Sequence, residues 1–201
     1  RLEYGGVYKS WAITKTTSLD PAVKRLAVEV EDHPIEYGTF EGTLPEGQFC
    51  GGTVQLWDQG TWRSQTDHTA RDFEKGSLKF EMDGKRMKGK WALIRLRDRE
   101  PHRPGTRVRH NWLLIKEIDD EAARGSKGDA VQKAVTSVKT GRTLEEIAQK
   151  SSKVWNSNRS TKENVTRLKK VAQKKNRPVA KKNKAKKPAK KKKKPAKRKR
   201  T

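Results

Sequence analysis

The sequence predicts a mainly β protein, whose short strands and frequent turns are typical of a closed barrel or a sandwich, followed by a disordered basic tail. Large apolar residues recur at every second position in Leu26, Val28 and Val30 and in Leu78, Phe80 and Met82, as expected of half-buried strands. Turn-forming pairs such as Asp20-Pro21 and Asp83-Gly84 separate these stretches. Five of the six Trp residues, and every Phe and Tyr, precede residue 125. Only this front part can bury a sizeable core.

Six runs rich in aliphatic, β-branched and aromatic residues predict strands within residues 1–118. The Asp83-Gly84 pair lies between two of these runs and indicates a hairpin. The predicted strands are Val7–Ile13, Arg25–Val30, Thr53–Asp58, Ser77–Met82, Lys90–Leu96 and Asn111–Lys116.

The distribution of charged residues divides the chain into two parts. The first 124 residues hold 21 Lys and Arg against 20 Asp and Glu, whereas the remaining 77 hold 28 against 4. An almost balanced segment is compatible with a globular domain, and a strongly cationic one is compatible with binding to polyanions. We therefore expect a barrel domain over 1–124, a linker with one short helix over 125–160, and a disordered Lys-rich DNA-binding tail over 161–201.

One helix is predicted in the linker. In Thr143-Leu144-Glu145-Glu146-Ile147-Ala148, a threonine precedes a helix-favouring run and a glutamate follows it three positions later. This spacing is the capping-box signature, in which Thr143 caps the helix and Glu146 reaches back to it.

The tail combines dense positive charge with prolines. Residues 169–201 contain 19 Lys and Arg, three Pro and no acidic residue, so the segment cannot collapse on itself. Cations that neutralise DNA phosphates release counterions, which gives affinity without sequence preference. We expect the tail to tether DNA; a solubilising tail and a nuclear-import signal are the alternatives. The residues of the densest stretch are Lys190, Lys191, Lys192, Lys193, Lys194, Lys197, Arg198, Lys199 and Arg200.

Several classes of protein are disfavoured by what the sequence lacks. Cys50 is the single cysteine, so no intrachain disulfide can form, which fits a reducing compartment. No secretory apolar segment and no run long enough to cross a bilayer is present. The sequence also carries no phosphate-binding glycine loop, zinc-ligand spacing or nucleophile elbow. We expect a soluble cytoplasmic protein with no membrane partner.

The stretch Glu31-Asp32-His33-Pro34-Ile35-Glu36-Tyr37 concentrates chemistry-bearing residues. Histidine titrates near neutral pH, so His33 is a candidate for moving a proton or stabilising negative charge. The carboxylates of Glu31 and Asp32 are expected to favour its protonated form. The alternative is a solvated histidine at the end of a strand.

Other candidates have equally plain alternatives. The guanidinium of Arg25 has the planar shape that binds two phosphate oxygens, but a solvated arginine at a strand start is common. The phenol of Tyr37 can donate to a phosphate oxygen, or the ring can be a half-buried aromatic. Lys15, at the end of a predicted strand, is a phosphate contact or a solvated lysine. Arg1 and Glu3 carry no signal by themselves.

The order of short motifs resembles the 3′-phosphoesterase domain of bacterial DNA ligase D and its stand-alone relatives. The resemblance covers about residues 1–121 and continues more weakly to Trp155. The matching stretches include Lys9-Ser10-Trp11-Ala12, Glu31–Tyr37, Phe40–Gly47, Gly51–Trp62, Gly89–Arg95 and Trp112–Lys116.

The resemblance implies a compact β-barrel with its active site in a surface groove. Members of the family depend on manganese; they remove a terminal ribonucleoside from a 3′ end and then the remaining 3′ phosphate. Arg1 and Arg25 would clamp the phosphate, while His33 would stabilise the transition state or act as the acid. The supporting residues implied by the same match are Tyr37, Lys15, Glu31 and Glu3.

The family pattern also implies a metal-binding segment upstream of Arg1, ending His-Tyr-Asp-Phe before Arg1-Leu2-Glu3. Since the manganese ligands would lie there, we expect no manganese site within the present sequence. We also expect the polypeptide as written to be weakly active or inactive. The alternative function is a non-catalytic DNA-binding protein that carries a degenerate phosphoesterase barrel.

The resemblance implies partners as well. DNA with a processed 3′ end or a primer–template junction would be the substrate, and an ATP-dependent DNA ligase with the Ku end-joining system would act beside it. We expect a monomer in the cytoplasm of a bacterium, associated with the nucleoid.

Overall fold

A computed structural model describes residues 1–47, 51–97, 110–150 and 152–175. Strands are the main regular elements of the described residues, which confirms the predicted fold class. In chain order the strands are β1 (Leu2–Tyr4), β2 (Val7–Lys9), β3 (Trp11–Ile13), β4 (Lys24–Glu29), β5 (His33–Pro34), β6 (Gly42–Leu44), β7 (Gly52–Val54), β8 (Gly60–Ser64), β9 (Ser77–Gly84), β10 (Lys88–Arg95) and β11 (Asn111–Lys116). The α-helices are α1 (Thr69–Lys75), α2 (Leu144–Lys150) and α3 (Thr161–Lys175).

The largest sheet has six antiparallel strands in the order β3-β4-β11-β10-β9-β8. It curls into a half-barrel, in keeping with the right-handed twist of strands. Its concave face carries alternate residues of the four inner strands, which form the main core: Ala27, Leu78, Phe80, Trp91, Leu93, Trp112 and Leu114. The alternation that predicted β9 is therefore the alternation of burial, whereas in β4 the buried residue is Ala27 and Leu26 is 42% exposed.

A second sheet lies at the open side of the half-barrel. It has the order β1-β2-β5, and Leu2 of β1 is buried in the main core. The indole Nε1 of Trp62, on β8, donates to the carbonyl oxygen of Glu3 at 3.1 Å. The first residues of the chain are thereby held beside the edge of the large sheet.

The single predicted strand over Val7–Ile13 is two strands, which corrects the prediction. β2 pairs with β1 and β5, whereas β3 pairs with β4 in the other sheet. The change of sheet occurs at Ser10, which is buried and whose hydroxyl donates to the carbonyl oxygen of Tyr8 at 3.0 Å. A pattern of alternation does not show that a strand changes partners in its middle.

The predicted strand over Thr53–Asp58 is also too long, since β7 ends at Val54. The following residues bond to a later part of the chain instead: Trp57 Nε1 donates to the Ala134 carbonyl oxygen at 2.7 Å. The amide of Leu56 donates to the Glu41 carboxylate at 3.1 Å. Their apolar character therefore reflects tertiary contacts rather than a ladder.

The other four predicted strands are confirmed with ends shifted by at most two residues. β9 and β10 form the predicted hairpin, in which Asp83 faces Lys88. Four strands were not predicted: β1, β5, β6 and β8 have two to five residues each, which is too short for a periodic signal.

The predicted capping box is confirmed at the start of α2. The amide of Glu146 donates to the Thr143 hydroxyl at 3.3 Å, and the amide of Thr143 donates to the Glu146 carboxylate at 3.0 Å. The disorder expected from residue 161 onward is wrong for the first fifteen residues, because Thr161–Lys175 is α3. Its apolar side, with Leu168, packs against the aromatic cluster of Tyr37 and Phe40, which stabilises a helix that its charge alone would not.

The tail residues that carry the predicted DNA contacts lie outside the described residues, and their role stays a prediction. They are Lys190, Lys191, Lys192, Lys193, Lys194, Lys197, Arg198, Lys199 and Arg200.

Candidate functional site

His33 is held by the strand that follows the change of sheet. It faces Tyr8 in the β2–β5 pair, and its Nδ1 lies 3.0 Å from the hydroxyl oxygen of Ser10. The one hydrogen of the Ser10 hydroxyl also has the Tyr8 carbonyl oxygen within reach at 3.0 Å, which favours the tautomer in which Ser10 accepts from Nδ1–H. In the neutral imidazole the lone pair is then on Nε2, which is the nitrogen left to exchange a proton.

Tyr37 supports the imidazole from one face. A 3-10 helix over Ile35–Thr39 follows β5 directly and returns the Tyr37 ring to His33, where the two rings stack with centroids 5.3 Å apart. The tyrosine is only 7% exposed. It stacks on Phe40 at 5.6 Å, and Trp155 meets its ring edge-on at 5.0 Å. The alternative of a half-buried tyrosine therefore underestimates the burial of Tyr37, because its ring is part of a second core.

Arg1 covers the same tyrosine. Its guanidinium carbon lies 4.9 Å from the centroid of the Tyr37 ring, a cation–π distance. Arg1 also lines a cavity of about 220 Å³ on the concave side of the half-barrel, together with Leu2, Ile13 and Leu114. Arg1 thus connects the His33–Tyr37 pair to the concave face.

The electrostatic surroundings of His33 differ from the expectation. Burial lowers the pKa of the imidazole, the Arg1 guanidinium lowers it further, and Glu31 acts in the opposite direction with less effect. The carboxylate of Asp32 pairs with Lys9 at 2.7 Å. Glu31 favours the protonated imidazole as predicted, but burial and Arg1 outweigh it, so the expectation that the two carboxylates hold His33 protonated is wrong.

Glu3 lies in the same row as His33. The register pairs Glu3 with Tyr8 and Tyr8 with His33 across the three strands, and residues paired in this way project from the same face of a sheet. With Cα rows about 4.8 Å apart, two strand spacings separate Glu3 from His33 by about 10 Å. The small sheet therefore brings together Arg1, Glu3 and His33, with Glu31 nearby.

Arg25 and Lys15 lie at the other end of the β3–β4 pair. Arg25 Nε donates to the Thr16 carbonyl oxygen at 2.8 Å, whereas His33 is bonded to Ser10, before β3 begins. Five residues of extended strand between Arg25 and Val30 span about 16 Å. Arg25 faces Leu114 across the ladder, and Leu114 lines the concave cavity. Arg25 is thus on the concave face, and Lys15 is an exposed residue beyond β3.

The described residues do not by themselves form a site for the manganese ion implied by the resemblance. In residues 1–47, 51–97, 110–150 and 152–175, no group of three or more His, Cys, Asp and Glu side chains is placed to hold a metal. Metal ligands upstream of Arg1 stay a prediction.

Three residues of the site were not predicted. Ser10 orients the imidazole, Tyr8 faces His33 across the strand pair, and Trp155 packs edge-on against the Tyr37 ring. A cue existed for Trp155, the single Trp after residue 124 in a segment that is otherwise poor in aromatic residues. Ser10 and Tyr8 carry no comparable cue.

The helices of the described ranges are all too short or too polar to span a membrane.

Comparison with known proteins identifies similar sequences in bacteria. Residues 1–95 match the family of the DNA ligase D 3′-phosphoesterase domain. The multifunctional non-homologous end joining protein LigD of Pseudomonas aeruginosa is 43% identical over 146 residues, which are 72% of this chain and 16% of that protein. The LigD proteins of Mycobacterium tuberculosis and Mycolicibacterium smegmatis are 42% identical over 95 residues and 31% identical over 129 residues. These matches cover 47% and 62% of this chain, and 12% and 16% of those relatives.

Proposed function

Because residues 1–95 belong to the DNA ligase D 3′-phosphoesterase family, we propose that this chain is a hydrolase that heals 3′ ends in DNA end-joining repair. The reactions proposed are removal of a 3′-terminal ribonucleoside and of a 3′ phosphate, which leave a 3′ hydroxyl. The observation that carries the proposal is the contact of Arg1 with the Tyr37 ring, beside the imidazole of His33.

The proposed role of the cations is to bind the terminal phosphate. A guanidinium presents parallel N–H donors that fit two phosphate oxygens, and Arg1 is exposed next to His33. Arg25 and Lys15 lie at the far end of the β3–β4 hairpin, about 16 Å from the His33 end, where they suit a backbone phosphate further along the bound strand. Glu3 and Glu31 would orient these cations.

The proposed role of His33 is to protonate the leaving oxygen. In both reactions a P–O bond to a nucleoside breaks while water attacks phosphorus, and the departing alkoxide needs a proton. The lowered pKa keeps the resting imidazole neutral. A bound phosphate places negative charge beside it and offsets Arg1, so its pKa rises and Nε2 takes up the proton that it then donates. The phenol of Tyr37 would bind a phosphate oxygen.

Basic residues beside the site support a DNA substrate. α3 packs on the Tyr37 cluster through Leu168 and exposes Lys162, Arg167, Lys169 and Lys170. These cations lie on a helix docked against the site. We infer that α3 contacts the duplex and that residues 176–201 extend this contact along DNA.

The second candidate function, a non-catalytic DNA-binding protein, is favoured by the same basic helix and by the absence of a metal-holding group among the described residues. The partners proposed are an ATP-dependent DNA ligase and the Ku system, by analogy with the end-joining relatives. The chain spans about a sixth of those relatives or less, so these partners belong to the proposal.

An end-processing assay separates the two candidates. A 5′-labelled primer with a 3′ phosphate is incubated with the chain and Mn²⁺, and in parallel with a chimera that carries, before Arg1, the preceding segment of the Pseudomonas aeruginosa relative. We expect conversion to a 3′ hydroxyl by the chimera and its loss in the chimera's His33→Ala variant, with unchanged DNA affinity. No conversion by either protein would contradict the phosphoesterase proposal and favour the binding protein.

A further inference from the structure

Residues beyond the family match return to the candidate site. We call residues 153–168 the brace. The amide of Thr43 donates to the Lys153 carbonyl oxygen at 3.0 Å, and the amide of Trp155 donates to the Thr43 carbonyl oxygen at 3.1 Å. These bonds form a parallel bridge between Thr43 and Val154. The family match ends at residue 95, so the brace is a part of the site that the match does not include.

The brace brings the indole of Trp155 into contact with the Tyr37 ring. Trp155 is 6% exposed, and its ring is 5.0 Å from Tyr37 and 5.8 Å from Phe40, inclined at 62° and 55°. Edge-on contacts at this distance are favourable for aromatic rings. His33 stacks on the same tyrosine at 5.3 Å, so the Tyr37 ring contacts both Trp155 and His33.

A buried amide locks the brace. Asn164, on α3, has no exposed surface. Its Oδ1 accepts from the amide of Asn156 at 2.9 Å, while its Nδ2 donates to the Asn156 carbonyl oxygen at 2.9 Å and to that of Ser160 at 3.2 Å. Both functions of the amide are therefore used. Nδ2 also donates to the Arg159 carbonyl oxygen at 3.3 Å, so a carboxylate, which has no donor, would face three carbonyl oxygens in its place.

We propose that the brace is a positioning element for the reaction, with Trp155 holding the Tyr37 ring against His33 and beneath Arg1, and Asn164 holding Trp155. Any effect of this positioning on catalysis rests on the proposed phosphoesterase function. The physical argument is that stacked and cation–π contacts of Tyr37 depend on the orientation of its ring, and that a ring without its edge-on neighbour has room to turn.

The test uses the full chain and the pH titration of His33, followed by NMR of the imidazole protons and assigned with a His33→Gln variant. In Trp155→Ala, water reaches the back of Tyr37 and the burial of His33 decreases. We expect the pKa of His33 to rise by about 0.5 unit. Trp155→Phe retains an aromatic edge and should restore most of the original value. Trp57→Ala is the matched control, because Trp57 lies outside the cluster, and it should leave the titration unchanged.

Two outcomes would overturn the proposal. One is a folded Trp155→Ala protein with an unaltered His33 titration and unaltered ring contacts to Tyr37. The other is an Asn164→Asp protein that is folded and has the original titration, since this variant keeps the Trp155 side chain and removes only the hydrogen bonds that hold it. This second outcome decides the matter if Trp155→Ala does not fold. The titration needs no turnover, so its result stands whether or not the end-processing assay gives product.

Discussion

The imidazole of His33 lies nearly parallel to the ring of Tyr37, with centroids 5.3 Å apart and planes 19° apart. The two residues are separated by one extended proline and a 3-10 turn. The tyrosine is fixed by a core and the histidine is partly open. The imidazole of His33 thereby packs on a rigidly held tyrosine ring, which suits a site in which the orientation of a proton donor matters.

The Tyr37 hydroxyl and ring are separable by substitution. Tyr37→Phe keeps the stacking and should leave the fold intact while weakening binding of a 3′-phosphate oligonucleotide. Tyr37→Ala empties a core position and should reduce the free energy of unfolding by about 3–5 kcal/mol. Isothermal titration calorimetry measures oligonucleotide binding by Tyr37→Phe, and urea denaturation measures the loss of stability in Tyr37→Ala. Equal binding by wild type and Tyr37→Phe would remove the phenol from the phosphate site.

Ser10 should fix the tautomer of His33. Nitrogen-15 chemical shifts of the neutral imidazole are expected to show the proton on Nδ1 in the wild type, because the Ser10 hydroxyl accepts there. Ser10→Ala removes this acceptor, so both tautomers should be populated and stability should fall by about 1–2 kcal/mol. Ser10→Thr retains the oxygen and serves as the control. A proton on Nε2 in the wild type would contradict the assignment.

Stability should depend on the protonation of His33. Its pKa in the folded protein lies below the ordinary value, because of burial and Arg1. The unfolded chain therefore binds more protons, and the contribution of neutral His33 is present above about pH 6.5 and lost as the pH falls. His33→Asn should flatten the slope of unfolding free energy against pH just below about pH 6.5.

Calorimetry at a series of pH values measures that slope, and the low-pH region provides its internal control. Although burial acts to raise the pKa of the Glu41 carboxyl, hydrogen bonds from Ser137, Leu56 and Thr140 hold it below its usual range. Both proteins should therefore lose stability together in more acidic solution. Identical slopes near neutral pH would show that His33 has an ordinary pKa.

The exposed cations of α3 should contribute to the salt dependence of DNA binding. Each phosphate contact adds about 0.9 to the slope of log K against log salt concentration. Replacement of Lys162, Arg167, Lys169 and Lys170 with Gln should reduce the slope by up to about 3–4. Fluorescence anisotropy with a duplex measures it, and removal of residues 176–201 is the comparison. If the slope changes only when residues 176–201 are removed, then the phosphate contacts are made by those residues and not by α3.

Sequence patterns predicted the large sheet well because its strands are long and half-buried. In β9 the alternating residues Leu78, Phe80 and Met82 face the core, and β10 and β11 are recognisable as continuous apolar runs. In β4 the alternation does not identify the core face, because Ala27 is buried and Leu26 is 42% exposed. The capping box of α2 was also readable, since it depends on residues three positions apart. The residues gathered around His33 were nominated mainly through the family resemblance, and the structure assembles Arg1, Glu3, Glu31 and Tyr37 there.

The remainder depends on contacts between distant parts of the chain. The strand that bends at Ser10 is determined by two different partner strands, and the helix formed by residues 161–175 is stabilised by a core made from residues 37–44. The downward pKa shift of His33 follows from burial and from a guanidinium 32 positions away in sequence. Local composition carries none of this information.

The most direct measurement is an NMR titration of the full chain with two duplexes that differ only in a 3′ phosphate or a 3′ hydroxyl at one end. The phosphate end should perturb His33, Tyr37 and Arg1 and raise the pKa of the imidazole, because the anion offsets the guanidinium. The hydroxyl end should perturb only the basic surface of α3. Equal perturbation of His33 by both duplexes, or none by either, would contradict the assignment of this cluster as the site that binds a terminal phosphate.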